Sequence, residues 1–308
     1  MDYLFHLLIL ITIYIILAQS LSLTAGFAGM VSLAQAGFYG IGAYSAAILS
    51  LNYHLSFLSI LPIAMLFCGI IALIVSTIAL RTVEDYFIIC TLGIQVIVFS
   101  IMNNWTGLTN GPLGIPGIPS LTIFGIAFQN KLQFLLLSIC LTIFVFLFLR
   151  FFTTSSFGRI LKALCEDEIY TQSIGKDVFL SKIISFTITA MFGAIPGVLY
   201  AYYISYIDPT IFTVDESIFI LSIVIIGGKR NLWGIIIAAA FLILLPEALR
   251  FIGLPNNIAA NLRQIIYGLI LVILIMTGKN GIMDLFQVKM KGNPIKPINS
   301  DNFTRNTP

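Results

Sequence analysis

Long apolar runs, separated by short polar or glycine-rich stretches, set the rhythm of the chain. A helix needs ~20 residues to cross ~30 Å of hydrocarbon, whereas a membrane β-strand shows as ~10-residue alternation. Seven runs fit the helical template: 4–23, 31–51, 57–80, 86–102, 132–151, 183–204 and 232–249. Two more are weaker. The run 211–226 carries Asp215 and Glu216 near its start, leaving 218–226 as its apolar part; the run from about 258 to 277 has Arg263 and Gln264 in its first half. The pattern predicts an all-α, polytopic membrane protein of about nine spans, with a transmembrane domain over 1–284 and a polar cytoplasmic tail, without order of its own, over 285–308.

Composition agrees. Of 308 residues, 59% are apolar and 9% charged, against roughly 25% charged in a soluble domain. Mean hydropathy is +1.03. The first basic residue is Arg81, so no positive n-region precedes the first run, which is expected to be retained as a span. A net charge of +3 with dispersed basic residues excludes a nucleic-acid binder. Cys68, Cys90 and Cys140 lie in apolar runs and Cys165 in a charged segment, with no Cys-x-x-Cys pair. They read as small fillers, not as disulfides or zinc ligands.

Charge placement orients the chain. With the loop 150–182 inside, the inner side holds 13 Lys and Arg and the outer side only Lys131, Arg250 and Arg263. Cytoplasmic loops carry the excess of basic residues, so the N-terminus is placed outside and the C-terminus inside. A re-entrant 218–226 would reduce the bias to about 8:8, which favours a true crossing.

No ionisable residue is expected near the middle of any span. Intramembrane charges mark proton relays and ion sites, so this expectation argues against an ion-coupled secondary transporter. Gln35 and Gln95 read as helix-to-helix hydrogen bonders, with an aqueous pathway as the alternative. Gln35, Gly37, Gly40 and Gln95 form the candidate pathway set. Ala36, Gly40 and Ala47, and again Gly193, Gly197 and Ala201, repeat a small-xxx-small spacing that lets backbones approach. Packing within the chain is the plain reading; a pore or subunit seam is the alternative. Pro196 is expected to kink its helix.

No catalytic constellation stands out. The two histidines, His6 and His54, are far apart, and no Gly-x-x-x-x-Gly-Lys-Ser/Thr phosphate loop occurs. A membrane enzyme or scaffold therefore lacks its site. Two loops are distinctive. The stretch 107–119 holds four Gly and three Pro and reads as an ordered, turn-rich outer loop, either a docking surface or a connection. The stretch 157–182 reads as one short inner helix with Ile160, Leu161, Leu164 and Ile169 on one side and a stop at Gly175. Lys162 and Glu166 have i,i+4 spacing for a pair, and the acidic run Glu166, Asp167, Glu168 projects as a solvated stretch.

Four blocks in order carry a resemblance. They are 23–44 (LTAGFAGMVSLAQAGFYGIGAY), Asn110 to Pro116 (NGPLGIP), the loop from Phe157-Gly158-Arg159 through Ala163 and Glu166-Asp167-Glu168 to Gly175, and Gly227-Gly228 with Leu232-Trp233-Gly234 and Leu245-Pro246-Glu247. Together they resemble the Liv-type family of branched-chain amino-acid ABC permeases. Three places depart from its pattern: Ile169-Tyr170-Thr171-Gln172 where an Ala-rich stretch is common, Cys165 at an often basic position, and Lys229-Arg230-Asn231 in place of a Gly- and Ser-rich turn.

The resemblance implies an importer permease that is not itself an enzyme, sitting in a bacterial inner membrane. It would pair with a homologous permease or a second copy of itself, and with two cytoplasmic ABC ATPase subunits that bind ATP and Mg. A substrate-binding protein would deliver substrate from outside. It also implies that Gly158, Arg159, Ala163, Glu166, Asp167 and Gly175 belong to the coupling segment that seats on an ATPase. Branched-chain amino acids are the implied substrate, with urea or short amides as the alternative.

Overall fold

A computed structural model describes residues 2–251 except 83, 124, 125 and 129, together with 265, 266, 268, 269 and 272. The elements are α1 (Asp2–Ser22), α2 (Gln35–Tyr53), α3 (Phe57–Ala79), α4 (Glu84–Asn104), α5 (Thr106–Thr109), α6 (Lys131–Thr154), α7 (Ser156–Glu166), α8 (Glu168–Ser173), α9 (Val178–Ile204), α10 (Val214–Gly227) and α11 (Leu232–Phe251). Four two-residue strands lie between them: β1 (Ile115–Pro116), β2 (Thr122–Ile123), β3 (Ile126–Ala127) and β4 (Tyr206–Ile207).

Eight of the nine expected spans coincide with helices. The ninth, 258–277, falls largely outside the described residues. Among the described residues, six stretches are long and apolar enough to cross a membrane: Asp2–Phe27, Phe57–Ala79, Tyr86–Asn104, Lys131–Thr154, Val178–Ile204 and Pro209–Gly227. The chain is thus an all-α, polytopic membrane protein. α1 is prolonged by a π-helical turn, Leu23–Phe27.

Burial sorts the helices into an inner and an outer set. α1 and α9 each bury 61% of their most apolar stretch, α3 28% and α4 22%. α2 packs against α9 and α3, and α1 against α6, α9, α10 and α11. The outer helices turn long apolar faces outward, among them Leu66, Ile70 and Ile74 on α3 and Leu136, Ile143 and Leu147 on α6. That distribution suits lipid or another subunit.

Lipid gives helices no hydrophobic reason to associate, so close packing and hydrogen bonds must hold them. The α2–α9 seam shows how. A Cβ on Gly42 would collide with the Ala194 carbonyl, and one on Gly197 with the Tyr39 carbonyl. Gly197, from the second small-residue set, thus serves packing within the chain. α9 continues as a single helix through Pro196. Across α1 and α6, Thr12 Oγ1 donates to Ser138 Oγ at 3.0 Å.

The 107–119 stretch is ordered, as expected, and it is pinned. β1 pairs antiparallel with β4, Ile115 opposite Ile207, and Asn110, at φ 60°, donates Nδ2 to the Gly114 carbonyl at 2.8 Å. The loop thereby fixes the segment that follows α9 and leads into the bundle.

Candidate functional site

Two regions gather the sequence-predicted site residues. The first is the centre, where α2 and α10 both begin inside the bundle. α10 is only 14 residues long, and Ser217 Oγ in its first turn accepts from the Ala36 N–H at 3.0 Å. The preceding segment enters the interior, so that Phe212 is fully buried. Its ring lies edge-on to Tyr39, centroids 4.9 Å apart. Gln95 on α4 donates Nε2 to the Phe212 carbonyl at 2.8 Å, while its buried Oε1 has no partner.

The candidate pathway set divides here. Gly37, Gly40 and Gln95 meet around Phe212: a Cβ on Gly37 would lie 2.8 Å from Gln95 Oε1, and one on Gly40 2.8 Å from Phe212 Cγ. Gln35 faces elsewhere. Its Nε2 donates to Ser20 Oγ on α1 at 2.8 Å and would lie 2.8 Å from a Cβ on Gly193 of α9. So three of the four gather at Phe212, and the fourth is a helix-to-helix bond.

The structure corrects the expectation that no ionisable group lies deep among the spans. Glu216, in the first turn of α10, accepts a hydrogen bond from Tyr14, which stands halfway along Asp2–Phe27. Glu216 Oε1 is sealed from solvent and has no partner. The reason is geometric: α10 starts within the bundle, so a residue at the start of an apolar run sits in the middle of the molecule. The shortness of the 218–226 run was the available signal.

The second region is the inner segment. Instead of one helix there are two, broken at Asp167, whose backbone is extended (φ −155°, ψ 110°). Ser155 caps α7, its Oγ accepting from Gly158 N at 3.3 Å. Asp167 Oδ1 caps α8 from Tyr170 N at 2.9 Å, and Asp177 Oδ1 caps α9 from Leu180 N at 3.0 Å. Asp and Ser at helix starts satisfy orphan N–H groups, and this pattern breaks the segment into pieces. α9 consequently starts five residues before the expected 183, and Lys182 lies in it.

The expected Lys162–Glu166 pair is replaced. Glu166 Oε1 bonds Arg230 Nη1 at 3.1 Å, Glu168 Oε2 bonds Lys182 Nζ at 2.6 Å, and Lys162 Nζ sits 5.6 Å over the Phe27 ring. Partners on neighbouring elements compete successfully with the i,i+4 neighbour. The expected apolar face is also revised. Leu161 and Leu164 are buried, but the break turns Ile169 outward, 80% exposed, beside Tyr170 at 61%.

The other predicted residues hold this segment in place. A Cβ on Gly158 would collide with the Thr153 carbonyl, so glycine lets α7 fold back on the end of α6. Arg159 stays exposed and donates Nη2 to Ser156 Oγ at 2.8 Å. The Ala163 carbonyl accepts from Asp167 N at 2.9 Å, and Gly175 turns the chain at φ 80°. Arg230 Nε also donates to the Gly26 carbonyl at 3.3 Å, tying the α10–α11 turn to the end of α1. Burial works against the Arg230 charge, but its bonds to Cys165 and Glu166 more than offset this and hold its pKa above the ordinary arginine range.

Residues 3–275 match the family described as branched-chain amino acid transport system / permease component. Over 261 residues the chain is 35% identical to the high-affinity branched-chain amino acid transport system permease protein LivM of Escherichia coli (strain K12), covering 77% of this chain and 61% of that one. The Salmonella typhimurium protein of the same name is 34% identical over the same coverage. The probable branched-chain amino acid transport permease protein LivM of Methanocaldococcus jannaschii is 30% identical over 58% of this chain and 53% of its own. The chain thus spans about three-fifths of the length of the enterobacterial relatives it matches. No solved structure matches it significantly. A match over most of the chain shows that it belongs to the branched-chain amino acid transport permease family.

Proposed function

We propose that this chain is the membrane-spanning permease subunit of an ABC importer for branched-chain or other small hydrophobic amino acids. The observation that carries the reading is the α7–α8 segment: a polar, capped pair of helices, fixed to α1 and α9, that offers an apolar tip of Ile169 and Tyr170 to a partner. Glu166, Asp167 and Glu168 are used to build it rather than left loose. On this reading two ATPase subunits seat on that tip, bind ATP and Mg, and supply the energy. The outward apolar faces of α3, α4 and α6 meet lipid and a second permease, homologous or identical. A binding protein delivers substrate to the opposite end, where the 107–119 loop lies.

The same reading takes nine crossings, with the N-terminus outside and α7–α8 and the tail 285–308 inside, in a bacterial inner membrane. The basic residues support that orientation. Transport proceeds by alternating access: closure of the ATPases pulls on α7–α8, and the cluster of Gly37, Gly40, Gln95 and Phe212 opens.

The test is leucine uptake into vesicles holding the permease pair, both ATPases and the binding protein. Uptake that needs ATP and survives collapse of the proton gradient is the expected result. Uptake without ATP overturns the reading, as does ATP-driven uptake of urea in place of leucine.

A further inference from the structure

Glu216 keeps its carboxylate oxygen Oε1 sealed from solvent, and among the described residues it forms no ion pair. Among the described residues, Lys182 and Arg230 form their ion pairs elsewhere, with Glu168 and Glu166. The bond to Glu216 comes from Tyr14, and Oε1 is left without any. The neighbouring carboxylates differ. Asp215 is exposed, and Asp208 Oδ1 caps the following turn through Thr210 N at 2.7 Å. A charge in such a place is costly and marks a functional position in membrane proteins far more often than a structural one.

The surroundings indicate which charge would complete it. The electrostatic influence of Glu216 reaches the hydroxyls of Tyr39 and Tyr200, whose rings pack 5.8 Å apart, and Phe212 packs against Tyr39. A carboxylate set among tyrosines suits a small organic cation, which gains an ion pair there and cation–π attraction from any aromatic face it meets. An alkyl substituent is accommodated by the same rings. A neutral amide would gain little from the charge.

We propose that Glu216, held by Tyr14, is the subsite that receives the α-ammonium group of the transported amino acid as it passes the centre of the permease. The proposal rests on the importer reading above and deepens it, by placing a zwitterionic substrate on a named carboxylate. Phe212 is fully buried against Tyr39, so substrate entry requires the segment before α10 to withdraw.

The experiment uses the full complex in vesicles, with L-leucine delivered by the binding protein. Glu216→Gln keeps the size and a hydrogen-bond acceptor but removes the charge. Uptake is expected to fall on the order of ten-fold or more, since loss of a buried charge partner is severe. Membrane levels and stimulation of ATP hydrolysis by the loaded binding protein stay as in the wild type. Glu216→Asp, which keeps the charge, restores most of the uptake.

Wild-type uptake in Glu216→Gln overturns the proposal, and so does an Asp variant as impaired as the Gln variant. Failure of the Gln variant to accumulate makes the charge a structural requirement and overturns it too. Failure of the importer reading looks different: the wild-type complex itself then shows no ATP-driven uptake.

Discussion

The α2–α9 seam and the α7–α8 segment are built on opposite principles. In the seam, what matters is the atoms that are missing: Gly42 and Gly197 leave room for the Ala194 and Tyr39 carbonyls. In α7–α8, what matters is polar atoms that are present, because Ser155, Asp167 and Asp177 each close a helix start. One region tolerates no added atom. The other tolerates change at its exposed tip, provided its caps survive and Gly158 keeps its room beside the Thr153 carbonyl. Small residues and charge runs are both easily dismissed as filler, and here each is the device that fixes local geometry.

The sharpest way to break the contrast is Gly197→Leu. Overpacking a fitted interior costs about 1–3 kcal/mol for modest additions, and here the obstacle is backbone rather than a yielding side chain. We expect loss of folded protein, read as aggregation on size-exclusion chromatography in detergent. A folded, thermally unaltered variant would show that α2 and α9 can separate freely.

Next in size comes Asp167→Lys, which deletes the α8 cap and reverses a charge. Cap removal costs ~1 kcal/mol, too little to unfold the subunit. Insertion is expected to be normal, while uptake uncouples from ATP hydrolysis. Gly175→Glu should act alike, since its surroundings are open and only the positive φ is penalised, by ~1–2 kcal/mol. Undiminished uptake in both, at normal membrane levels, removes α7–α8 from the coupling route.

Ile169→Ala separates docking from folding. Ile169 is 80% exposed, so the subunit has little to lose. A partner that buries it loses on the order of 1–2 kcal/mol, about ten-fold or somewhat more in affinity. Retention of the ATPases on co-purification should fall while the melting temperature stays put.

Much of this was legible in the sequence, and the failures have physical causes. Apolar runs placed eight helices because length and hydropathy suffice for a span. The seam was legible as spacing, but not which helix faced which. Gln35 and Gln95 have the same residue type at similar depth and point to different neighbours, a matter of packing direction that one sequence does not encode. Glu216 was misplaced because a helix that begins inside the bundle looks, in sequence, like one that begins at its surface. The single inner helix was wrong because Asp167 competes for the backbone as a cap, a local effect that overrode periodicity. Two departures from the family pattern, Cys165 and Arg230, turn out to share one acceptor, the Gly26 carbonyl.

That meeting point links the inner segment to the end of α1 and supplies the gentlest test. Arg230 reaches Gly26 at the end of α1 with Nε and Glu166 on α7 with Nη1. Glu166 is largely exposed, and exposed pairs contribute ~0–1 kcal/mol. Arg230→Lys keeps the charge but not the fork that spans both acceptors. We expect a melting temperature lower by no more than about 2–4 °C and a modest drop in uptake. A double-mutant cycle with Glu166→Gln should then yield a coupling energy under ~1 kcal/mol. A much larger coupling would mean that the inner segment and the core of the bundle open as one unit, and the division between a fitted seam and a tolerant docking tip would have to be redrawn with Arg230 as its hinge.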